Sequence, residues 1–318
     1  MGWTRLDGYF TVGGHGLLDE ICGLSGELQM RHGDAVCRPT IEIAQGVDDK
    51  ALKPTGIGTV LKISAGAMIP DSDQVVWQLA PDGSLRKVPH HIDAFADTLA
   101  KWVFDLVVVG SIAQPGSTWL RGGRISHYSQ PIHETSQVDT SFLREVWLSD
   151  YHVDRSAWNI LPFHKTWTWC QRQKGFSSGF SACSSARALN AFASLLCSHE
   201  DPMGLFWSLV GIEALYVRGS QGAREQVRDK IPVLFGDNKT IKKRLVDMYR
   251  QRSKLVHGEM DFLGPRLSGE ESIIQDYLLK HSEAVDFASS VLVATIQKMV
   301  VADLDELDFK RSYTLVGL

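Results

Sequence analysis

The segment Met248–Gly258 has the residue types and spacing that phosphate chemistry needs. It contains Arg252 and His257, with four residues between them. Arginine stays protonated and offers a planar fork of N–H donors that matches phosphate oxygens. Histidine titrates near neutrality, so it can either accept or donate a proton. The pair therefore predicts a site that binds a phosphate group and moves a proton.

The apolar residues around this pair predict a helix over Lys239–His257. Five residues of an ideal α-helix turn through about 500°, which places the two side chains about 140° apart. They do not share one narrow face. Arg252 and His257 could therefore converge on one ligand only at a helix end, or where a second copy of the helix packs alongside.

The same helix concentrates positive charge in a chain whose formal net charge is −4. Between Lys239 and Lys254 seven basic residues stand against one acid, Asp247. A basic helix face is often simply solvated, and that interpretation stays open for the first lysines of the helix. A local basic site also suits an anionic polymer, because binding depends on how charge is distributed. The residues predicted to contact such a polymer are Lys242, Lys243, Arg244 and Arg250.

Within about residues 183–302, three segments resemble the motifs of a known protein superfamily and follow one another in the same order. They are SLVGIEALY at Ser208–Tyr216, QVRDKIPVLFG at Gln226–Gly236 and YRQRSKLVHG at Tyr249–Gly258. The series resembles the HEPN superfamily, and specifically its Apea-like branch, whose motif is an arginine followed after four to six residues by a histidine. The chain departs from the superfamily pattern at Pro232, inside the middle helix. It also has Ser253 where many members carry Asn, Asp or His, although serine there agrees with the Apea-like branch.

The resemblance implies a metal-independent endoribonuclease that needs no cofactor and cleaves RNA through the neighbouring 2′-hydroxyl. It implies a homodimer through the C-terminal helical bundle, in which two copies of the motif supply acid and base. Arg252 and His257 would be catalytic. Residues in supporting roles would be Glu213, Tyr249, Ser253 and Lys254.

Two other interpretations remain beside the nuclease, which would be a defence or toxin-type effector. A non-catalytic HEPN scaffold would dimerise and bind RNA or a protein partner. An unrelated helical module would carry the motif by chance, with His257 capping a helix and Arg252 pairing with Glu213. The mutual arrangement of the motif helices in a dimer separates the last interpretation from the first two.

The change from short β-branched runs to apolar residues at helical spacing predicts an α+β protein of two domains. Residues 1–182 form a β-rich or mixed domain, interpreted as a sensing or regulatory domain that a protein partner or trigger could engage. Residues 183–318 form a HEPN-like α-helical bundle. The predicted strands are Thr40–Ala44, Thr59–Ser64, Gln74–Leu79 and Phe104–Val109, with a turn at Asp82-Gly83. The predicted helices are Ile92–Trp102, Ala186–Leu196, Met203–Val217, Arg224–Phe235, Lys239–His257 and Glu270–Met299.

Two further segments allow a prediction. Residues 131–182 are rich in Phe, Trp and Tyr, which suit either core packing or a stacking platform for unpaired bases, and the sequence favours packing. The acidic tail Asp303–Asp308 predicts a solvated end.

Composition limits the classes of protein that remain. Hydrophobic residues make up 44% of the chain, which excludes a wholly disordered protein. The net charge argues against a protein that coats nucleic acid indiscriminately.

The most apolar stretch, Trp102–Ile112, is about half the roughly 20 residues of a membrane helix, so no membrane partner is expected. Five scattered cysteines form no CxxC pair or zinc-ligand spacing, and no secretory signal is evident; both features favour a reduced cytoplasmic location.

Overall fold

The computed structural model divides the chain into two compact units. The first comprises Met1–Arg144 and Pro162–Trp167, and the second comprises Glu145–Leu161 and Thr168–Leu318. The predicted boundary at 182/183 lies inside the second unit. The structure describes residues 2–13, 15–32, 34–44, 59–69, 74–79, 85–128, 130–135, 137–149, 152–153, 158–177, 180–198, 203–219, 222–259 and 271–310.

The first unit is built on an antiparallel sheet with two helices. The helices are α1 (His15–Gly23) and α2 (His90–Ala113). The strands are β1 (Gly2–Gly13), β2 (Met30–His32), β3 (Ala35–Cys37), β4 (Thr40–Ile43), β5 (Thr59–Ile69), β6 (Val75–Leu79), β7 (Leu85–Pro89), β8 (Trp119–His127), β9 (Gln130–Thr135) and β10 (Val138–Asp139). The main sheet has the order β10-β8-β1-β5-β4, and β9 also pairs with β8. β2 with β3, and β6 with β7, form two separate two-stranded sheets.

The glycines of the two central strands make room for one aromatic ring. Phe10 on β1 is fully buried and lies opposite Gly123 of β8 in the register. A Cβ at Gly8 or at Gly123 would overlap its ring. Glycine at these positions therefore lets the ring lie close against the sheet. Other fully buried members of this core are Leu6, Ile63, Phe95, Leu99 and Ile125.

Three of the four predicted strands are confirmed, as β4, β5 and β6. The prediction for Phe104–Val109 is wrong, because these residues continue α2 well beyond the predicted helix Ile92–Trp102. All residues of this run except Phe104 are buried. A short continuous apolar run suits a buried strand and a buried helix equally, so periodicity could not separate them. The predicted turn at Asp82-Gly83 lies outside the described residues.

The second unit is helical, and all five predicted C-terminal helices are present. The helices are α3 (Phe142–Leu148) and α4 (Phe163–Arg172), which both begin in the first unit, then α5 (Ser184–Ser198), α6 (Met203–Tyr216), α7 (Ala223–Phe235), α8 (Lys239–Val256) and α9 (Glu271–Ala302). α7 continues past Pro232 and ends at Phe235. A sheet in the first unit and packed helices in the second make the protein α+β, as predicted.

α6 is fixed against the long helix α9 by close packing and by buried hydroxyl pairs. The Tyr216 hydroxyl and Thr295 Oγ1 lie 2.8 Å apart, and both residues are fully buried. One and a half turns earlier, Gly211 allows α9 to approach: a Cβ there would lie 2.8 Å from the methyl carbons of Leu292. These contacts hold α6 rigidly, and α6 carries Glu213 on another face.

Part of α9 passes the length and composition test for a membrane span. Ser282–Ala302 has a mean hydropathy of 1.5 over its best window, and 83% of that window is buried within the protein. The expectation that no stretch approaches the required length was therefore wrong for this helix. Because most of the window is buried, the helix has the character of a core helix.

The aromatic-rich segment before α5 serves packing, as the sequence favoured. Five of its aromatic side chains are buried, and the Trp169 indole donates to the carbonyl oxygen of Leu304 at 3.1 Å. Tyr151 lies outside the described residues, and Trp147 and Phe180 are exposed. The buried members are Trp158, Phe163, Trp167, Trp169 and Phe176.

The prediction of a solvated acidic tail was wrong in part. Arg172 of α4 donates to the carboxylates of Asp303 and Asp305, at 2.8 and 2.9 Å. Leu307 is buried. The acids face solvent, but they also tie the chain that follows α9 back to α4.

Candidate functional site

α8 presents the motif at its C-terminal end. The helix begins after Asn238, whose side chain accepts from the Thr240 amide at 2.7 Å as an N-cap. It ends at Val256, with His257 as the C-cap residue. Gly258 has a φ of +70°, a conformation that glycine adopts without strain. The helix predicted over Lys239–His257 is confirmed, with its last helical residue at Val256.

Arg252 and His257 leave the helix in different directions. Ile241, Leu245 and Met248 form the buried stripe of α8, and Arg252 follows four residues later in the same row. Arg252 is accordingly half-buried, whereas His257 is exposed. The angular separation expected from the sequence is thus present, and within one chain the two groups point to different surroundings.

Near Arg252, a hydrogen bond connects α8 to α6. The Tyr249 hydroxyl donates to Glu213 Oε1 at 3.2 Å. Tyr249 is only 8% exposed, and its burial, together with the neighbouring Glu213 carboxylate, raises its pKa above the usual 10. The positive charge of Arg252 acts in the opposite sense. The phenol therefore stays protonated at neutral pH and remains a hydrogen-bond donor, one helical turn before the motif arginine.

The pairing of Arg252 with Glu213, which a purely structural role would require, does not occur. The structure records no ion pair between these two described residues, and Tyr249 occupies Glu213 instead. The backbone N–H of His257 donates to the Ser253 carbonyl at 3.0 Å, but within the described ranges its imidazole has no recorded hydrogen bond. Ser253 itself is exposed. Both motif side chains are thus open to a ligand, and the structure records no contact between them.

Three of the four predicted RNA-binding residues, Arg250 included, have partners within the second unit. Lys242 pairs with Asp237 at 2.6 Å. Arg244 is half-buried and donates to the carbonyl oxygen of His152 at 3.2 Å. The side chain of Arg244 therefore links α8 to His152.

The other basic residues share the exposed face that ends at the motif. Lys243, Arg250, Lys254 and His257 follow one another at spacings of seven, four and three residues, which places them on one side of the helix. All four are exposed. Arg250 also pairs with Asp247 at 3.0 Å, an exposed contact that contributes little. A polyanion lying along this face would reach His257.

The structure adds a residue that the sequence analysis missed. The charge of Glu225, in the first turn of α7, also raises the pKa of Tyr249, after burial and Glu213. α6, α7 and α8 thus all contribute to the surroundings of Tyr249. An acid at the start of a helix is common for local reasons, so its spacing in the sequence gave no signal of this role.

Comparison with known proteins gives no relative for this chain. No family model, no curated protein and no solved structure matches it. Among the described residues, no group of three or more His, Cys, Asp or Glu side chains is arranged to hold a metal ion. Only the chemistry of the chain's own side chains therefore points to a function.

Proposed function

We propose that this protein is a metal-independent endoribonuclease of the HEPN type, acting as a defence or toxin-type effector. The proposal depends mainly on the position and surroundings of the motif. Arg252 and His257 lie at one end of α8, and neither side chain forms an ion pair with a described residue. The helices α5–α9 would form a HEPN-like bundle, in line with the sequence resemblance. RNA is the expected substrate.

The chemistry follows from the two side chains. A neutral His257 removes the proton from a ribose 2′-hydroxyl, and the 2′-oxygen forms a bond to the adjacent phosphorus. The guanidinium of Arg252 stabilises the negative charge of the phosphorane. A protonated histidine then gives its proton to the 5′-oxygen as the P–O5′ bond breaks. The products are a 2′,3′-cyclic phosphate and a 5′-hydroxyl, and no cofactor enters the reaction.

The reaction uses one neutral and one protonated histidine, whereas one chain offers a single His257 in the motif. We therefore propose a homodimer in which two C-terminal bundles bring their motifs together. Val256, directly before His257, keeps 51% of its surface exposed, and Val233 of α7 keeps 71%. A contact with a second copy at this end of α8 would remove such apolar side chains from water. A solution mass of two chains supports this arrangement, and a monomer that cleaves RNA contradicts it.

The first unit is proposed as the sensing or regulatory part of the effector. It has its own sheet and core, and the motif lies entirely in the second unit. A regulatory protein or other trigger would act on this unit, and we propose a cytoplasmic location for the whole protein. Cleavage by the second unit alone at a rate above that of the full chain would support a restraining role. An equal rate would contradict it.

The test is cleavage of a labelled single-stranded RNA in EDTA, with the chemistry of the product ends determined. The wild-type chain should give 2′,3′-cyclic phosphate and 5′-hydroxyl ends. Arg252→Ala should abolish cleavage, whereas Arg228→Ala, which changes an exposed arginine of the second unit, should not. Equal rates for wild type and Arg252→Ala would overturn the proposal. RNA binding without cleavage would instead favour the non-catalytic HEPN scaffold.

A further inference from the structure

A groove of about 430 Å³ runs between α5 and α6 in the second unit. Its volume falls within the range of about 300–1,000 Å³ that holds small organic ligands. None of the motif residues on α8 lines it, but Glu213 of α6 does. The lining residues that bear on its chemistry are Arg187, Asn190, Ser194, Trp207, Glu213 and Val217.

The two helices set the order of these residues along the groove. α5 and α6 are consecutive and are joined by residues 199–202 only, so they run antiparallel. Arg187 lies near the start of α5 and Glu213 near the end of α6, which puts both at the same end of the groove. Trp207 lies six residues before Glu213, roughly 9 Å along the helix axis. A ligand that fills the groove would meet charged groups at one end and an aromatic ring towards the other.

The charged end is complementary to a ligand with both donors and acceptors. Arg187 is exposed, and within the described residues no ion pair of its guanidinium is recorded. It offers donors only. The Glu213 carboxylate offers acceptors only, and the Tyr249 hydroxyl uses one of about four acceptor positions.

The wall of the groove is held in place from outside. The Asn190 amide donates to the Gly175 carbonyl at 3.1 Å and to Ser181 Oγ at 2.8 Å, and its oxygen accepts from the Ser177 amide at 3.4 Å. Asn190 thereby fastens the chain before α5 against the helix. Because the amide of Asn190 already has these hydrogen bonds, we expect a ligand in the groove to be recognised by Arg187 and Glu213.

We propose that this groove binds a guanine base of single-stranded RNA, a role that rests on the proposed ribonuclease function. Guanine presents two adjacent N–H donors on its Watson–Crick edge, which suit the Glu213 carboxylate. It presents two acceptors, O6 and N7, on its other edge, which suit arginine. Adenine, cytosine and uracil lack such a pair: on their Watson–Crick edges each N–H donor stands beside an acceptor, which an acidic side chain repels. The half-buried ring of Trp207 offers a stacking surface for a neighbouring base.

The contact between Glu213 and Tyr249 connects this groove to the proposed catalytic site. Tyr249 lies one turn before Arg252 on α8. A guanine held by Glu213 would therefore place a phosphate of its own nucleotide near Arg252. The groove would select where the RNA is cut, while the motif would perform the cut.

Binding and cleavage can be tested separately. The full-length His257→Ala chain is mixed with fluorescent RNA oligomers that carry a single G or a single A within a uridine tract, and the dissociation constants are measured by anisotropy. The G oligomer should bind about tenfold more tightly or better, as a two-bond base contact allows. Glu213→Gln, which keeps the shape but adds N–H donors, should remove that preference, and Arg187→Ala should weaken it. Arg228→Ala, outside the groove, should leave it unchanged.

The outcomes distinguish the two proposals. Equal affinity for the G and A oligomers, or a guanine preference that survives Glu213→Gln, would overturn the guanine site even if the protein cleaves RNA. A guanine preference that depends on Glu213, in a chain that cleaves no RNA, would support the groove and overturn the nuclease.

Discussion

Replacing Asp286 by asparagine should stabilise the second unit at neutral and alkaline pH. Asp286 lies on α9 and is partly buried. Burial, together with the nearby carboxylates of Glu145 and Glu283, raises its pKa from the usual 3.8 to about 7. Above pH 7 the folded protein therefore holds a carboxylate where it is poorly solvated and repelled by two others. Asparagine keeps the shape of the side chain and removes that charge.

The sign and size of the effect follow from the two pKa values. Between pH 3.8 and about pH 7 the folded state binds the proton more tightly than the unfolded state, so the free energy of unfolding falls as pH rises through this window and is constant above it. Each tenfold change in proton affinity is worth about 1.4 kcal/mol, so the full penalty on Asp286 is roughly 4 kcal/mol. Between pH 5 and pH 8 the wild-type protein should lose about 2–3 kcal/mol more than Asp286→Asn.

Urea unfolding of the full chain at pH 5 and pH 8 measures this difference. Asp308→Asn, which changes an exposed acid of the same unit, is the matched control and should follow the wild type at both pH values. If Asp286→Asn and the wild type show the same pH dependence, the reasoning about burial and repulsion at α9 is refuted.

Three further predictions concern the surroundings of the site. Tyr249→Phe removes the donor to Glu213 and should lower the free energy of unfolding by about 1–3 kcal/mol; a urea midpoint equal to that of the wild type would contradict this. Gly175→Ala should destabilise more than Gly219→Ala, because both glycines have a positive φ but only at Gly175 would a Cβ overlap a neighbour, the carbonyl oxygen of Phe180; thermal unfolding of both variants tests the order. RNA cleavage should persist in EDTA and slow as ionic strength rises, because the basic face of α8 attracts the backbone through screened charges; a rate that stops on chelation and returns with Mg²⁺ would contradict a metal-independent mechanism.

The helices α5–α9 could be predicted because their apolar residues repeat at helical spacing and their ends carry local signals. α8 shows both: its buried stripe was evident from the sequence, and Gly258 marked its end. α2 could not be delimited in the same way. Its second half is buried on all sides, so the run Phe104–Val109 has no polar face to reveal the helical period.

The motif was visible in the sequence, but its surroundings were not. The spacing of Arg252 and His257 gave their angle on the helix, and the half-buried and exposed states agree with it. The partner of Glu213 is decided by how α6 and α8 pack against each other. Tyr249 and Arg252 both lie near this carboxylate, and the hydrogen bond is formed by Tyr249. The groove that contains Arg187 forms where α5 and α6 pack against each other, and the sequence of neither helix predicts it.

The most direct test of the account is the initial rate of RNA cleavage in EDTA for the wild-type chain and for His257→Ala. His257 is exposed at the end of α8, so the substitution should leave the fold intact. His164→Ala, which removes another exposed histidine, serves as the control. The account predicts that His257→Ala abolishes cleavage while His164→Ala cleaves at the wild-type rate. Cleavage by His257→Ala at the wild-type rate would contradict the central claim.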